Sequence, residues 1–236
     1  MLSKVRWQVS LDSVDSRSHD ALRGKWKETM RGLALLREQG AAVTVLTVMS
    51  RANESGIDDV YDFCERIGAR FRCTPMQPFG AGRDSGANRL SASEILEAME
   101  AFGAQHSLDW RSVRRVFNTA RHVQYSWGDR QTCCDLGKGV LSVSPDGTVY
   151  PCVHLHGSVP ILGNILEAGI EDILLAGNRF RAGLAVDILP ECRTCGYRYL
   201  CGGGCRAERI LTGERDPEHC NLIRGVIERD LALLIS

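Results

Sequence analysis

Apolar and polar residues alternate at the start of the chain. Val5-Arg-Trp-Gln-Val-Ser-Leu11 reads as a strand, closed by the polar run from Asp12 to His19. The period then becomes helical from Trp26 to Gln39, with Met30, Leu33, Ala34 and Leu36 on one side and Gly40 as the stop. Val43 to Met49 is apolar enough for a strand buried in a parallel sheet. Ile57 to Ile67 predicts another helix, ended by Gly68. Arg70 to Met76 predicts a third strand, which runs into the glycine-rich Pro78-Phe-Gly-Ala-Gly-Arg83. Ser91 with Glu94 forms a capping box for a helix from Ser93 to Phe102. Strands that alternate with helices imply right-handed βαβ units and an α/β fold built on a parallel sheet.

The pattern changes after residue 106. Residues 107–131 carry one helix and read as a linker region. Beyond them, Gly139 to Tyr150 is a hairpin with its turn at Asp146-Gly147, which sets Cys152 just after the return strand and near Cys134. His154 and His156 follow at alternating positions, where a hydrogen-bonded histidine is the ordinary reading and an iron ligand or proton carrier the functional one. Leu222 to Ile235 predicts a closing amphipathic helix, with Cys220 alone before it. The expected organisation is therefore residues 1–106, a linker region over 107–131, and a small α+β cysteine-rich domain over 132–236.

Composition changes this picture through its cysteines. There are ten in 236 residues, and the formal net charge is zero. Balanced charge gives no general attraction to nucleic acid or to an anionic membrane. Arg111, Arg114, Arg115 and Arg121 fall at helical spacing and read as a solvated face. The opening Met1-Leu-Ser-Lys-Val has no signal-segment pattern, and no apolar run is long enough to span a bilayer, so a reducing, cytoplasmic compartment is expected. Clustered thiols there point to metal binding or catalysis rather than disulfides. Cys192, Cys195, Cys201 and Cys205 stand at C-x2-C-x5-C-x3-C, with Gly196 and Gly202 to Gly204 allowing tight turns and exposed backbone N–H groups. Spacing alone leaves zinc and iron both open. Cys64 and Cys73 read as ordinary buried thiols.

Cys134, Gly147, Cys152, the quartet and Cys220 together follow C-x12-G-x4-C, gap, C-x2-C-x5-C-x3-C, gap, C, with Leu162-Gly-Asn-Ile165 in the first gap. This arrangement resembles the SPASM domain, the C-terminal extension of many peptide-modifying radical SAM enzymes. The resemblance implies two auxiliary [4Fe-4S] clusters with interleaved ligands. Cys192, Cys195, Cys201 and Cys220 would hold the outer cluster, while Cys134, Cys152 and Cys205 would hold the inner one, whose last ligand stays open. Cys133 is set aside because adjacent side chains in extended chain point apart.

The segment before it resembles the second half of the radical SAM partial (β/α)6 barrel from its fourth strand. The residues that carry this are Gln8-Val-Ser-Leu-Asp12, His19-Asp20, Arg23-Gly24 and Pro78-Phe-Gly-Ala-Gly. By that resemblance Ser10 and Arg23 would contact S-adenosylmethionine near the strand's C-terminal end. The structural alternatives are that Ser10 closes a strand, Arg23 makes a surface pair and the glycines turn the chain.

A C-x3-C-x2-C triplet, which radical SAM chemistry needs, is absent from the sequence. The chain by itself is therefore not expected to generate a 5'-deoxyadenosyl radical. S-adenosylmethionine would be bound only where an N-terminal radical SAM half is supplied in cis or in trans. Three classes compete: the cluster-binding part of a peptide- or protein-modifying enzyme served by a reductant protein, a stand-alone iron-sulfur electron-transfer protein, and a zinc-stabilised interaction module. The βαβ units favour the first, because they imply a barrel partner. Val153 stands where anaerobic sulfatase maturases carry a proton-accepting Asp, which argues against that subfamily's chemistry.

Overall fold

A computed structural model describes residues 5–78, 86–119, 123 and 130–235. The chain divides into two compact units, residues 1–77 with 84–120 and residues 78–83 with 121–236. Residues 79–85, most of the glycine-rich loop after the third strand, lie outside the described residues, as does Arg121.

The first unit is α/β. Strands β1 (Arg6–Ser10), β2 (Ala42–Met49) and β3 (Arg70–Pro75) form a parallel sheet in the order β1-β2-β3. Its helices are α1 (Ser16–Leu22), α2 (Trp26–Glu38), α3 (Ile57–Ile67), α4 (Ala92–Gln105) and α5 (Trp110–Val116). Alternation in β2 buries Val43, Val45 and Met49, while Ile57, Val60 and Cys64 of α3 and Ile95, Leu96, Met99 and Phe102 of α4 complete the core. Cys64 and Cys73 are fully buried, and burial pushes the Cys64 thiol up to about 12. The Ser91 capping box forms, and Arg51 grips Glu94 with both guanidinium ends at 2.6 and 2.9 Å.

Two local expectations need correction. The run after Asp12 contains helix α1, capped by Asp15, whose carboxylate accepts from the Ser18 N–H at 2.8 Å. Arg114 is buried, so the basic positions of α5 are not one solvated face.

In the second unit β4 (Ser142–Val143) and β5 (Thr148–Tyr150) form the expected hairpin. A third short strand, β6 (Gly163–Asn164), extends it to an antiparallel sheet. Helix α6 (Ile170–Ala182) packs Ile173 against Val149 and Leu162. Then come α7 (Arg198–Cys201), α8 (Arg206–Thr212) and α9 (Pro217–Ile235). Cys220 lies inside α9 rather than before it, because the helix starts at Pro217. The Asp216 carboxylate accepts from the Glu218 N–H at that end. Among the described residues no helix is long and apolar enough to cross a membrane.

Candidate metal centre

The second unit brings its thiols together by folding one turn tightly. Helix α7 ends at Cys201, and Gly202, Gly203 and Gly204 follow with φ of 65°, 79° and 71° before Cys205 caps α8. Three consecutive left-handed residues are cheap only for glycine. Space demands glycine here as well. A Cβ on Gly202 would lie 2.6 Å from the Cys133 nitrogen, and one on Gly203 would lie 2.5 Å from the Arg206 guanidinium. The turn therefore packs directly on the backbone of Thr132 and Cys133.

All ten cysteines are free thiols. In the second unit they sort into two groups by whose charge each one feels. Burial raises Cys152, and the neighbouring Cys134 raises it further. Cys205 is pushed up to about 11 by burial, with Cys134 again among the charges acting on it. Burial likewise raises Cys192, on which Cys201 and Cys195 act, and Cys220, pushed up to about 12, on which Cys201 and Cys192 act. One group is thus Cys134, Cys152 and Cys205 with Cys133 beside them, and the other is Cys192, Cys195, Cys201 and Cys220. The Gly202–Gly204 turn runs from a thiol of the second group to a thiol of the first. A cleft lined by Cys192, Gly203, Gly204, Cys205, Glu208 and His219 adjoins both groups.

The pair Cys133 and Cys134 differs from the extended arrangement expected of it. Both residues lie in a bend, where each thiol biases its neighbour's ionisation, Cys133 well up and Cys134 down, to about 6. Cys133 is buried and its thiol donates to the Gly204 carbonyl at 2.6 Å, whereas Cys134 is exposed. His156 accepts or donates to the Ser142 hydroxyl at 2.8 Å and leans on the Tyr150 ring, the ordinary role for a histidine here. His154 stands exposed on the turn Val153–Leu155.

Among the described residues no three Cys, His, Asp or Glu side chains are gathered tightly enough for a single metal ion. Iron-sulfur clusters ask for something else, since a cubane spreads its thiolates over its corners. The residues present fit such a group in two respects. Each thiol group is an all-sulfur donor set of the soft kind that suits iron-sulfur clusters. Buried thiols that repel one another's ionisation gain a reason to sit together once a cationic centre deprotonates them.

In the first unit Ser10 is the last residue of β1, paired with Leu46, and Arg23 follows α1. The residue that joins this region is Asp12, which the sequence pattern alone did not single out as functional. It is buried; its carboxylate accepts from Arg23 Nε at 2.8 Å and from the Val48 N–H at 2.9 Å. Its own N–H donates to His19 Nδ1 at 3.1 Å, and its carbonyl accepts from Asn53 at 2.9 Å. Arg23 is therefore an oriented cation at the C-terminal end of β1.

The SPASM family, described as an iron-sulfur cluster-binding domain, matches residues 133–196. The chain is 27% identical over 240 residues to the AdoMet-dependent heme synthase of Nitratidesulfovibrio vulgaris, covering 90% of this chain and 63% of that protein. It is 27% identical over 218 residues to the mycofactocin maturase MftC of Mycolicibacterium smegmatis, covering 87% of this chain and 54% of that protein. The solved structure of native anSMEcpe with bound AdoMet and the Kp18Cys peptide superposes with a TM-score of 0.64 at 18% identity, covering 99% of this chain and 70% of that one. The chain spans about half to two thirds of the length of these curated relatives. The chain is thus similar to radical SAM/SPASM maturases over most of its length, and its residues 133–196 match the SPASM iron-sulfur cluster-binding domain.

Proposed function

We propose that this chain is the auxiliary-cluster portion of a radical SAM/SPASM enzyme that modifies a peptide or protein, with two [4Fe-4S] clusters in the second unit. Cys192, Cys195, Cys201 and Cys220 hold one of them, and Cys134, Cys152 and Cys205 hold the other. The observation that carries this is the division of the thiols into two groups that cross at the Gly202–Gly204 turn. When bound, such clusters supply one-electron transfer and a fixed surface beside the substrate. The chain's own contribution is to hold the thiolates at set positions on rigid turns and helix ends.

The first unit serves as the second half of a partial (β/α)6 barrel, as three parallel strands with crossover helices and the superposition on anSMEcpe support. There Ser10 and Arg23 would contact S-adenosylmethionine, and Asp12 fixes the Arg23 guanidinium for that role. The sequence has no C-x3-C-x2-C triplet, so radical generation belongs to a polypeptide that contributes one, in cis or in trans.

A peptide substrate is supported by the likeness to a mycofactocin maturase and to a structure holding a peptide. The equal identity to a heme synthase favours a heme-type substrate as the second reading. The two separate in one assay. With the triplet-bearing half present, AdoMet cleavage that is stimulated by a precursor peptide and leaves that peptide changed in mass supports the first. Stimulation by a porphyrin precursor alone assigns the second.

A further inference from the structure

Among the described residues Arg206 is the largest fully buried side chain, 1% exposed, and it opens α8 directly after the turn between the two thiol groups. Among the described residues its hydrogen bonds all go to backbone carbonyls. Nε donates to Leu184 at 2.8 Å, Nη1 to Gly203 and Gly204, and Nη2 to Gly202 at 2.9 Å and Gln131 at 3.4 Å. No carboxylate is among these partners. A buried cation is costly without an anion nearby. The guanidinium instead grips the three carbonyls of the turn that ends in Cys201 of one thiol group on one side and in Cys205 of the other group on the other.

Resting on the reading that both groups hold iron-sulfur clusters, we propose that Arg206 is a positioning residue that fixes the Gly202–Gly204 turn and, as a counter-charge shared by both clusters, raises both reduction potentials. Reduction adds an electron to a centre already made anionic by thiolates, and a fixed cation in a low-dielectric interior stabilises the reduced state more than the oxidised one. A purely geometric role predicts no such shift. Because the turn carries Cys201 at one end and Cys205 at the other, one guanidinium acts on both sites.

The test is a mediated redox titration of the anaerobically reconstituted chain, followed by electron paramagnetic resonance, for the natural protein, Arg206→Lys and Arg206→Met. Arg206→Met is expected to move both midpoints to lower potential, by about tenfold in the reduction equilibrium or about 59 mV for a one-electron couple. Arg206→Lys, which keeps the charge, is expected to stay near the natural values. Unchanged midpoints in an Arg206→Met protein that holds both clusters would overturn the proposal. If Arg206→Met and Arg206→Gln both fail to retain iron, retention by Arg206→Lys supports the charge requirement, and equal loss in all three overturns it. Absence of iron and sulfide from the natural protein would instead strike at the underlying cluster reading.

Discussion

The Cys133 thiol donates to the carbonyl of Gly204 at 2.6 Å and so ties the segment before the hairpin to the turn between Cys201 and Cys205. A thiol spent on a carbonyl keeps its proton, while its neighbour Cys134 is held toward the thiolate. Cys133→Ala is therefore expected to keep the iron of the natural protein and to lose about 1 kcal/mol of stability with the hydrogen bond. Cys134→Ala is expected to lose one cluster. Iron analysis and urea unfolding of the two variants check this, and equal iron loss would contradict it.

Close backbone contact at Gly177 makes a second prediction. A Cβ there would lie 1.9 Å from the Gly137 carbonyl oxygen, so α6 would have to move away from the turn that precedes the hairpin. Gly177→Ala should destabilise the second unit by about 1–3 kcal/mol, the usual range for overpacking. Gly32, inside α2, meets nothing within 4 Å, and Gly32→Ala should stabilise the first unit by about 0.5–1 kcal/mol. Urea unfolding of both variants measures the contrast.

Acid should loosen the first unit through Glu94. The Arg51 guanidinium, then the Ser91 N–H and hydroxyl, hold the Glu94 carboxyl down at about 2, below its unfolded value of 4.5. The contribution is thus present above about pH 4.5 and is lost as pH falls through about 2. Thermal melts across that window should show a steeper acid loss for the natural protein than for Glu94→Gln. Parallel curves would remove the role of the pair.

Much of this architecture was legible from residue patterns. The β2 alternation, the Ser91-to-Glu94 capping box and the Asp146-Gly147 turn all have strong local chemistry. Elements without it escaped. Helix α1 has seven residues and buries only His19, leaving no apolar period, and β6 has only two residues. The start of α9 did carry a signal in Asp216-Pro-Glu, a cap followed by a first-turn proline. The thiols were legible by spacing, but Asp12 and Arg206 were not singled out. A buried polar residue is defined by partners distant in sequence, such as Val48 for Asp12 and Gln131 for Arg206, and no periodicity announces it.

Reductive cleavage of S-adenosylmethionine needs a site-differentiated iron that this sequence's cysteine spacings do not provide through a C-x3-C-x2-C triplet. The 236-residue chain, reconstituted and reduced with dithionite, is expected to form no 5'-deoxyadenosine. Chromatography of the quenched reaction checks it. Production that disappears in Cys134→Ala would place cofactor cleavage at the inner thiol group instead.

The most direct measurement is the iron and acid-labile sulfide content of the anaerobically reconstituted chain, with Mössbauer spectra of the same sample. Two thiol groups that each hold a [4Fe-4S] cluster predict about eight iron and about eight sulfide per chain, with half of each lost in Cys201→Ala. A colourless protein with stoichiometric zinc and no sulfide would contradict the account.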